Sequence, residues 1–303
     1  MEKDQTPATR SLPISPFMSE FPVYDKIKGE GERKMGTIVD IAVTKENDER
    51  LRIVIHRGDE PPLKLTVDQD VLLKFRLKKG MIIDDVLLHD IICADEVKKA
   101  YQKALCFLAR RMRSEHEMVE HLRKKGVADS IIEEVLGKLR ADQYVDDEAF
   151  AVAYVRTQKN TSAKGPRLIR AELERLGVPV HAIEQSLAEY PFNEQVAAAR
   201  SLYEKTKKQR RAESARAFLE RVKQQLMRKG FSHEVIAVVL ADEEGRTEVE
   251  EREALIIQAE KIHRRYAHHP RPLYEQKMCQ ALYRKGFSLA LIDEWLRRQD
   301  DDG

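Results

Sequence analysis

The chain repeats one short pattern four times, and this repetition restricts its fold more than any other feature. The first copy is LRKKGVADSIIEEVL, residues 122–136, and the later copies are LERLGVPVHAIEQSL from Leu173, LMRKGFSHEVIAVVL from Leu226 and LYRKGFSLALIDEWL from Leu282. Each copy has a leucine four residues before a glycine and an isoleucine six residues after it. The copies recur at intervals of about 50 residues, which is typical of a helical repeat protein.

The apolar spacing within each copy predicts two short helices joined at the glycine. Apolar residues also stand eight positions before, one position after and ten positions after each glycine, on the same faces of the two helices. Helices often end with a left-handed residue, and glycine adopts that conformation without a steric penalty. We therefore expect left-handed helix ends at the aligned glycines, Gly126, Gly177, Gly230 and Gly286.

A further helical pattern precedes each copy, at about residues 97–111, 147–158, 194–207 and 249–265. Each unit then contains three helices in about 50 residues, too few for a large core, so neighbouring units are expected to stack. The predicted fold is mainly α: an elongated, curved array of four tandem three-helix repeats. The predicted repeats are residues 96–145, 146–192, 193–245 and 246–303.

A small α+β module is predicted at residues 34–95, before the repeats. Alternating apolar residues predict three strands, the first two as a hairpin, at about 39–43, 51–55 and 63–67. A short helix is expected next, with Asp68 or Asp70 as its cap and Gly80 as its end.

The N-terminal residues 1–33 contain four prolines and few periodic apolar positions, which predicts a flexible tail. No apolar run reaches the roughly 20 residues that span a bilayer, and the N-terminus lacks the apolar stretch of a signal peptide. The three cysteines are scattered, which favours reduced thiols, and Cys106 is expected to be a core residue. We therefore predict a cytoplasmic protein without a membrane partner.

No group of residues in the sequence is typical of catalysis. In HEMVEH, His116 and His121 are five residues apart, which places them about 140° apart around a helix and argues against a shared metal ion. The acidic run at residues 146–148 suits helix capping better than Mg²⁺ binding, because carboxylates are favoured in a first helical turn. We predict a protein that is not an enzyme and that holds no cofactor or metal.

The net charge of +2 hides alternating basic and acidic blocks. The residue two before each aligned glycine is always basic, which the dipole at a helix C-terminus favours. The junctions between the first and second helices of each repeat are also basic, and part of this charge is expected at helix starts, where the dipole disfavours it. In stacked repeats these junctions would form a basic edge suited to a phosphate backbone or an acidic protein groove.

The candidate contact residues lie in these four junctions. They are Arg110, Arg111, Arg113, Lys164, Arg167, Arg170, Lys207, Lys208, Arg210, Arg211, Arg264, Arg265 and Arg271. Among them, Lys164, Arg167 and Arg170 follow one another at three-residue steps and are expected to share much of one helix face.

Three segments in order resemble the RecX family of recombinase regulators. They are ALCFLARRMRSEHEMVEHLRKKGV, YVDDEAFAVAYVRTQ and KGPRLIRAELERLGV, and the resemblance covers about residues 97–300. Four repeats after a β-rich module are similar to the layout of longer Gram-positive members. The resemblance implies a non-enzymatic protein that binds RecA, lies along the groove of the RecA–DNA filament, and limits filament growth, ATP hydrolysis and strand exchange. It also implies single- and double-stranded DNA as partners, and we expect a monomer.

Two other functions fit the same sequence features. A helical-repeat adaptor for another protein would need no DNA, and its binding would depend little on salt. A protein that binds DNA without a recombinase would show a steep dependence on salt.

Overall fold

The computed structural model describes residues 35–44, 49–209, 212–241 and 247–301. The tail predicted for residues 1–33 lies outside these ranges. The chain divides into two compact units, one formed by Met1–Arg113 with Glu117–Val145 and the other by Ser114–His116 with Asp146–Gly303.

A four-stranded antiparallel sheet belongs to the first unit. Its strands lie in the order β3-β2-β1-β4, with bounds β1 Gly36–Val43, β2 Arg50–His56, β3 Leu63–Asp68 and β4 Ile82–Ile83. The predicted hairpin is present, with Ile38 opposite Ile55 and an irregular register between Ile38 and Asp40. Alternation buries Ile38, Ile53, Ile55 and Val67. The three predicted strands are confirmed. The fourth, β4, was not predicted, because its two residues are too few to give an alternating pattern.

The short helix α1 spans Gln69–Lys74 and follows β3 directly. Its cap is Asp68, whose carboxylate accepts a hydrogen bond from the Asp70 amide at 3.0 Å. The predicted end at Gly80 is wrong: the helix ends at Lys74 with Phe75 as its C-cap, because Arg76 adopts a positive φ of 50°. That backbone conformation does not continue a right-handed helix.

The helix α2, Asp85–Leu108, takes part in two cores of the first unit. Leu88 and Ile91 pack in the core beneath the sheet, whereas Val97 and Ala104 pack in the core of the first repeat. The domain boundary predicted between residues 95 and 96 falls inside this continuous helix.

Asp95, near the middle of α2, joins this helix to the sheet. Its carboxylate accepts hydrogen bonds from the Asp68 amide at 2.8 Å and from the Arg50 guanidinium at 2.9 Å, and it pairs with Lys99 at 3.0 Å. Only 4% of its side chain is exposed, so its negative charge depends on these partners.

The repeats contain three helices each. The first repeat combines α2 with α3 (Glu115–Lys124) and α4 (Asp129–Ala141), and the second has α5 (Asp147–Ser162), α6 (Pro166–Arg175) and α7 (Val180–Ala188). The third has α8 (Phe192–Lys208), α9 (Ala215–Arg228) and α10 (His233–Ala241), and the fourth has α11 (Glu248–Tyr266), α12 (Arg271–Arg284) and α13 (Leu289–Asp301). The mainly α class with an N-terminal strand module is therefore confirmed.

The aligned apolar positions fill a separate core in each repeat. The leucines before the glycines are buried, as are the isoleucines after them: Leu122, Leu173, Leu226, Leu282, Ile132, Ile183, Ile236 and Ile292. The four aligned glycines have φ values of 73°, 72°, 88° and 90° in chain order, which confirms the expected left-handed helix ends.

Candidate interaction surface

The first basic junction lies between α2 and α3, and two of its three arginines are held by one acidic residue. Glu117 pairs with Arg111 at 2.6 Å and with Arg113 at 3.1 Å. The Arg113 guanidinium also lies over the Phe107 ring, 4.0 Å from its centroid. Arg110 is exposed and makes no ion pair with any described residue, so it is the arginine of this junction that is available to a partner.

An open groove of about 590 Å³ lies beside this junction within the first unit. It is lined by Lys99, Gln102, Lys103, Cys106, Phe107, Arg110, His121 and Lys125. Phe107 and His121 stack with 3.9 Å between their ring centroids. Burial, followed by the nearby charges of Lys125, Arg113 and Lys124, lowers the pKa of His121. The lysine and arginine side chains therefore supply the positive charge of the groove near neutral pH.

Cys106 is exposed in this groove, so its predicted place in the core is wrong. Ala104 faces the core, and a step of two residues along a helix turns the side chain by about 200°. The apolar residues around Cys106 therefore lie on more than one face of α2.

The second junction contains Lys164, Arg167 and Arg170, but these side chains do not act alike. Lys164 precedes α6 and pairs with Glu172, with its Nζ 2.6 Å from Oε1 and 2.8 Å from Oε2. Arg170 pairs with Glu184 at 2.6 Å, and this hydrogen bond raises the pKa of Arg170 and lowers that of Glu184. Arg167 is exposed and pairs with no carboxylate in the described ranges.

The third and fourth junctions place most of their cations in the last turn of a helix. Lys207 and Lys208 end α8, and Arg264 and Arg265 lie near the end of α11. All four side chains are exposed. Arg271 begins α12 and pairs with Glu275 at 2.9 Å. Arg210 and Arg211 lie outside the described residues.

Helix positions correct one step of the sequence argument. Lys207, Lys208, Arg264 and Arg265 lie at helix ends, where the dipole favours a cation, so their sign alone does not indicate a partner. Among the candidates in the described ranges, Arg167 and Arg271 are the ones in a first helical turn, and Arg271 is already paired.

The sequence analysis missed Arg216, which occupies the same position in α9 as Arg167 in α6. Each arginine is the second residue after the N-cap, which is Gly165 in α6 and Ser214 in α9. Arg216 is also exposed and forms no ion pair with the residues that the structure describes. Aligning the N-caps as well as the glycines would have found it.

The acidic run at residues 146–148 caps helices, as expected. The Asp146 carboxylate accepts from the amides of Glu148 and Ala149 at 2.9 and 3.0 Å, while Asp147 accepts from the Glu115 amide at 2.8 Å. Within the described ranges, no three His, Cys, Asp or Glu side chains lie close enough together to ligate a metal ion. In the same part of the chain, no helix is long and apolar enough to span a bilayer.

Family profiles match the repeats one by one. They are RecX, first three-helix domain, at residues 100–139; RecX, second three-helix domain, at 146–187; and RecX, third three-helix domain, at both 193–240 and 250–296. The double match of the third profile agrees with the four repeats counted in the sequence.

Regulatory proteins of several bacteria match most of the chain. Regulatory protein RecX of Geobacillus thermodenitrificans (strain NG80-2) is 84% identical over 269 residues, which is 89% of this chain and 100% of that protein. Regulatory protein RecX of Bacillus cereus (strain G9842) is 39% identical over 270 residues, again 89% of this chain and 100% of that protein. A crystal structure of regulatory protein RecX matches with a TM-score of 0.59 and 32% identity, over 68% of this chain and 100% of that one.

Proposed function

Because the chain belongs to the RecX family of regulatory proteins, we propose that it binds RecA and the RecA–DNA filament and mostly inhibits filament growth, ATP hydrolysis and strand exchange. In this proposal the protein acts in recombination and DNA repair as a cytoplasmic monomer, without a cofactor and without chemistry of its own. Family membership is the observation that carries the proposal, and the exposed cations support it.

Arg167 and Arg216 are the proposed centre of the contact surface. A positive charge in a first helical turn opposes the helix dipole by about 0.3–1 kcal/mol, and no described carboxylate compensates it at either position. A phosphate of DNA or a carboxylate of RecA would supply the missing negative charge. Lys208, Arg264 and Arg265 lie in the same unit, are exposed and would extend this surface. Arg110, in the other unit, is a separate contact candidate.

DNA binding in the absence of RecA is the second candidate function. The same exposed cations favour it, because each phosphate contact releases condensed counterions. Its signature is a binding constant that falls steeply with salt concentration when no recombinase is present.

Two double variants on the same pair of helices test the proposal. Arg167→Glu/Arg216→Glu reverses the charges at the starts of α6 and α9, and Arg175→Glu/Arg228→Glu reverses the charges at their ends. Both variants change the net charge equally. Each is titrated into RecA on single-stranded DNA while ATP hydrolysis is followed, with urea denaturation as the folding control.

We expect the first variant to lose most of its inhibition while its free energy of unfolding stays equal or rises, since a carboxylate suits a first helical turn. The second variant should keep more inhibition and lose stability, because its carboxylates oppose the dipole at both helix ends. Equal inhibition by both variants and the parent would remove Arg167 and Arg216 from the mechanism. No inhibition by the parent at any ratio to RecA would refute the proposed function itself.

Salt separates the two candidate functions. If the first variant loses two phosphate contacts, the slope of log K against log salt should become less steep by about 1.4 on single-stranded DNA. If this salt dependence is unchanged while inhibition is lost, the two arginines contact RecA and not DNA.

A further inference from the structure

One hydrogen bond recurs at three places in the second unit. The Ser114 hydroxyl donates to the Leu176 carbonyl at 2.7 Å, and the Ser214 hydroxyl donates to the Lys285 carbonyl at 2.6 Å. At the equivalent place, the Gly165 amide donates to the Lys229 carbonyl at 2.7 Å. In all three cases the donor is the residue just before a second helix, and the acceptor carbonyl directly precedes a left-handed glycine of the following repeat.

The glycines at these three places have no room for a side chain. A Cβ on Gly177 would lie 2.5 Å from His116 Cγ, and a Cβ on Gly230 would lie 2.5 Å from Leu168 Cβ. At Gly286 it would lie 2.6 Å from the Ser214 hydroxyl oxygen. Each of these glycine turns therefore has the start of another helix packed against it, and the glycine is needed for this contact as well as for its positive φ.

The first glycine turn, residues 124–127, has the same sequence features, but no described residue packs against its glycine. Gly126 has a φ of 73°, yet a Cβ built on it meets no atom of the described residues within 4 Å. No described residue donates to the Lys125 carbonyl, which corresponds to the three acceptors above. Lys124 and Lys125 lie in this turn and are exposed; Lys124 makes a long ion pair with Glu120 at 3.8 Å, yet 77% of its side chain remains accessible to a partner.

We propose that this first glycine turn binds the N-terminus of a helix of another protein, with Ser, Thr or Gly at its N-cap and Asp or Glu in its first turn. The N-cap supplies the donor for the Lys125 carbonyl, as Ser114, Gly165 and Ser214 do for their acceptors. The acidic residues follow from Lys124 and Lys125. The end of α3 also presents its negative dipole to the positive start of the incoming helix. This inference does not depend on the function proposed above.

The start of α12 in a second copy of this chain is a poor occupant of the site. The N-cap there is Pro270, which has neither a hydroxyl group nor an amide hydrogen. The next residue is Arg271, a cation that Lys124 and Lys125 would repel. The start of α11 has a suitable cap, Thr247, and acidic residues in its first turn, but its Glu251 already accepts a hydrogen bond from the Ala215 amide at 3.0 Å. The proposed occupant is therefore a helix of another protein, and docking by a second copy is an outcome of the test below.

A helical peptide and one substitution test the proposal on the full chain. The probe is a lactam-bridged peptide of residues 214–228 with Arg216→Glu, and with Phe218, Val222 and Leu226 replaced by alanine to remove its core face. The control peptide carries Ser214→Pro, which copies the cap of α12. Binding is followed by the amide resonances of Lys125, Gly126 and Val127.

The protein variant is Gly126→Asn, because asparagine tolerates the left-handed conformation while its side chain fills the docking position. Gly80→Asn is the matched control, since Gly80 has a φ of 82° and equally open space around it in the sheet module. We expect the parent and Gly80→Asn to bind the probe alike. Gly126→Asn and the control peptide should each weaken binding by about tenfold or more.

Three results would overturn the proposal. They are equal binding by Gly126→Asn and the parent, no shift of the three resonances in the parent, and self-association of the parent that Gly126→Asn abolishes. The last result would identify a second copy as the occupant. Gly230→Asn is the positive control for steric exclusion. An asparagine side chain there should lower the free energy of unfolding, because the start of α6 already packs against Gly230.

Discussion

Replacing Asp95 should separate the role of buried charge from that of apolar packing in the first unit. In Asp95→Ala, the Asp68 amide loses its acceptor, and leaving a buried amide unpaired costs about 1–3 kcal/mol. Arg50 and Lys99 also lose their partner, but their side chains are 20% and 37% exposed and recover hydration. We therefore expect a loss of about 3 kcal/mol, at the lower end of the range for breaking a buried ion pair.

Asp95→Asn refines this expectation. The asparagine oxygen can still accept a hydrogen bond from the Asp68 amide. The loss of unfolding free energy should therefore fall to about 1–2 kcal/mol, which is the cost of removing the negative charge alone. Urea denaturation measures both variants, and Asp90→Ala is the control because Asp90 is an exposed aspartate of the same helix. Losses below about 1 kcal/mol for Asp95→Ala, or equal losses for both variants, would refute the reasoning.

Three further predictions follow from local geometry. Burial raises the pKa of Tyr190 to about 12, from 10 when unfolded, so this group does not change the stability below pH 10 and destabilises the fold as pH rises from 10 through 12. Tyr190→Phe should remove this alkaline loss and also stabilise the fold by up to about 1 kcal/mol, because the buried hydroxyl has no hydrogen-bond partner among the described residues. A spectroscopic pH titration of unfolding checks both effects. Lys164→Glu should cost about 2–3 kcal/mol in urea denaturation, since it places two carboxylates together at Glu172, and an unchanged midpoint would contradict the ion pair seen there. Thr247→Ala removes a capping box at the start of α11 and should cost about 1 kcal/mol in thermal unfolding, a loss that Thr247→Ser should largely spare.

The repeats were predictable because their evidence is periodic and local. An apolar residue in the same place of four copies indicates a buried face, and the left-handed glycine follows from the helix end it occupies. The end of α1 was not predictable in this way. It depends on the positive φ of Arg76, a residue type that gives no sequence indication of that conformation.

The candidate surface was harder to predict, because charge in a sequence does not reveal its partner. In the sequence, Lys164 and Arg170 are cations of the same basic junction as Arg167. In the folded protein, Glu172 pairs with Lys164 and Glu184 pairs with Arg170, whereas Arg167 pairs with no described carboxylate. Arg216 was missed for the opposite reason, since it stands outside the dense basic run that precedes it. Its importance comes from its place in the first turn of α9.

The three packed glycine turns lead to a last prediction, which concerns Gly165. Serine occupies the equivalent position before α3 and α9, so a consensus argument would recommend Gly165→Ser as a stabilising change. The structure predicts the reverse, because a Cβ on Gly165 would lie 2.5 Å from both the Gly230 carbonyl oxygen and the Phe231 nitrogen.

Those atoms belong to the backbone and cannot move aside as a flexible side chain would. We therefore expect Gly165→Ser to lower the free energy of unfolding by about 2 kcal/mol or more, measured by urea denaturation. The matched exchange, Ser214→Gly, removes a hydroxyl that caps α9 and bonds to the Lys285 carbonyl, and should cost only about 1 kcal/mol. If Gly165→Ser is neutral or stabilising, the backbone contact between Gly165 and Gly230 does not exist in solution, and glycine is retained there for another reason.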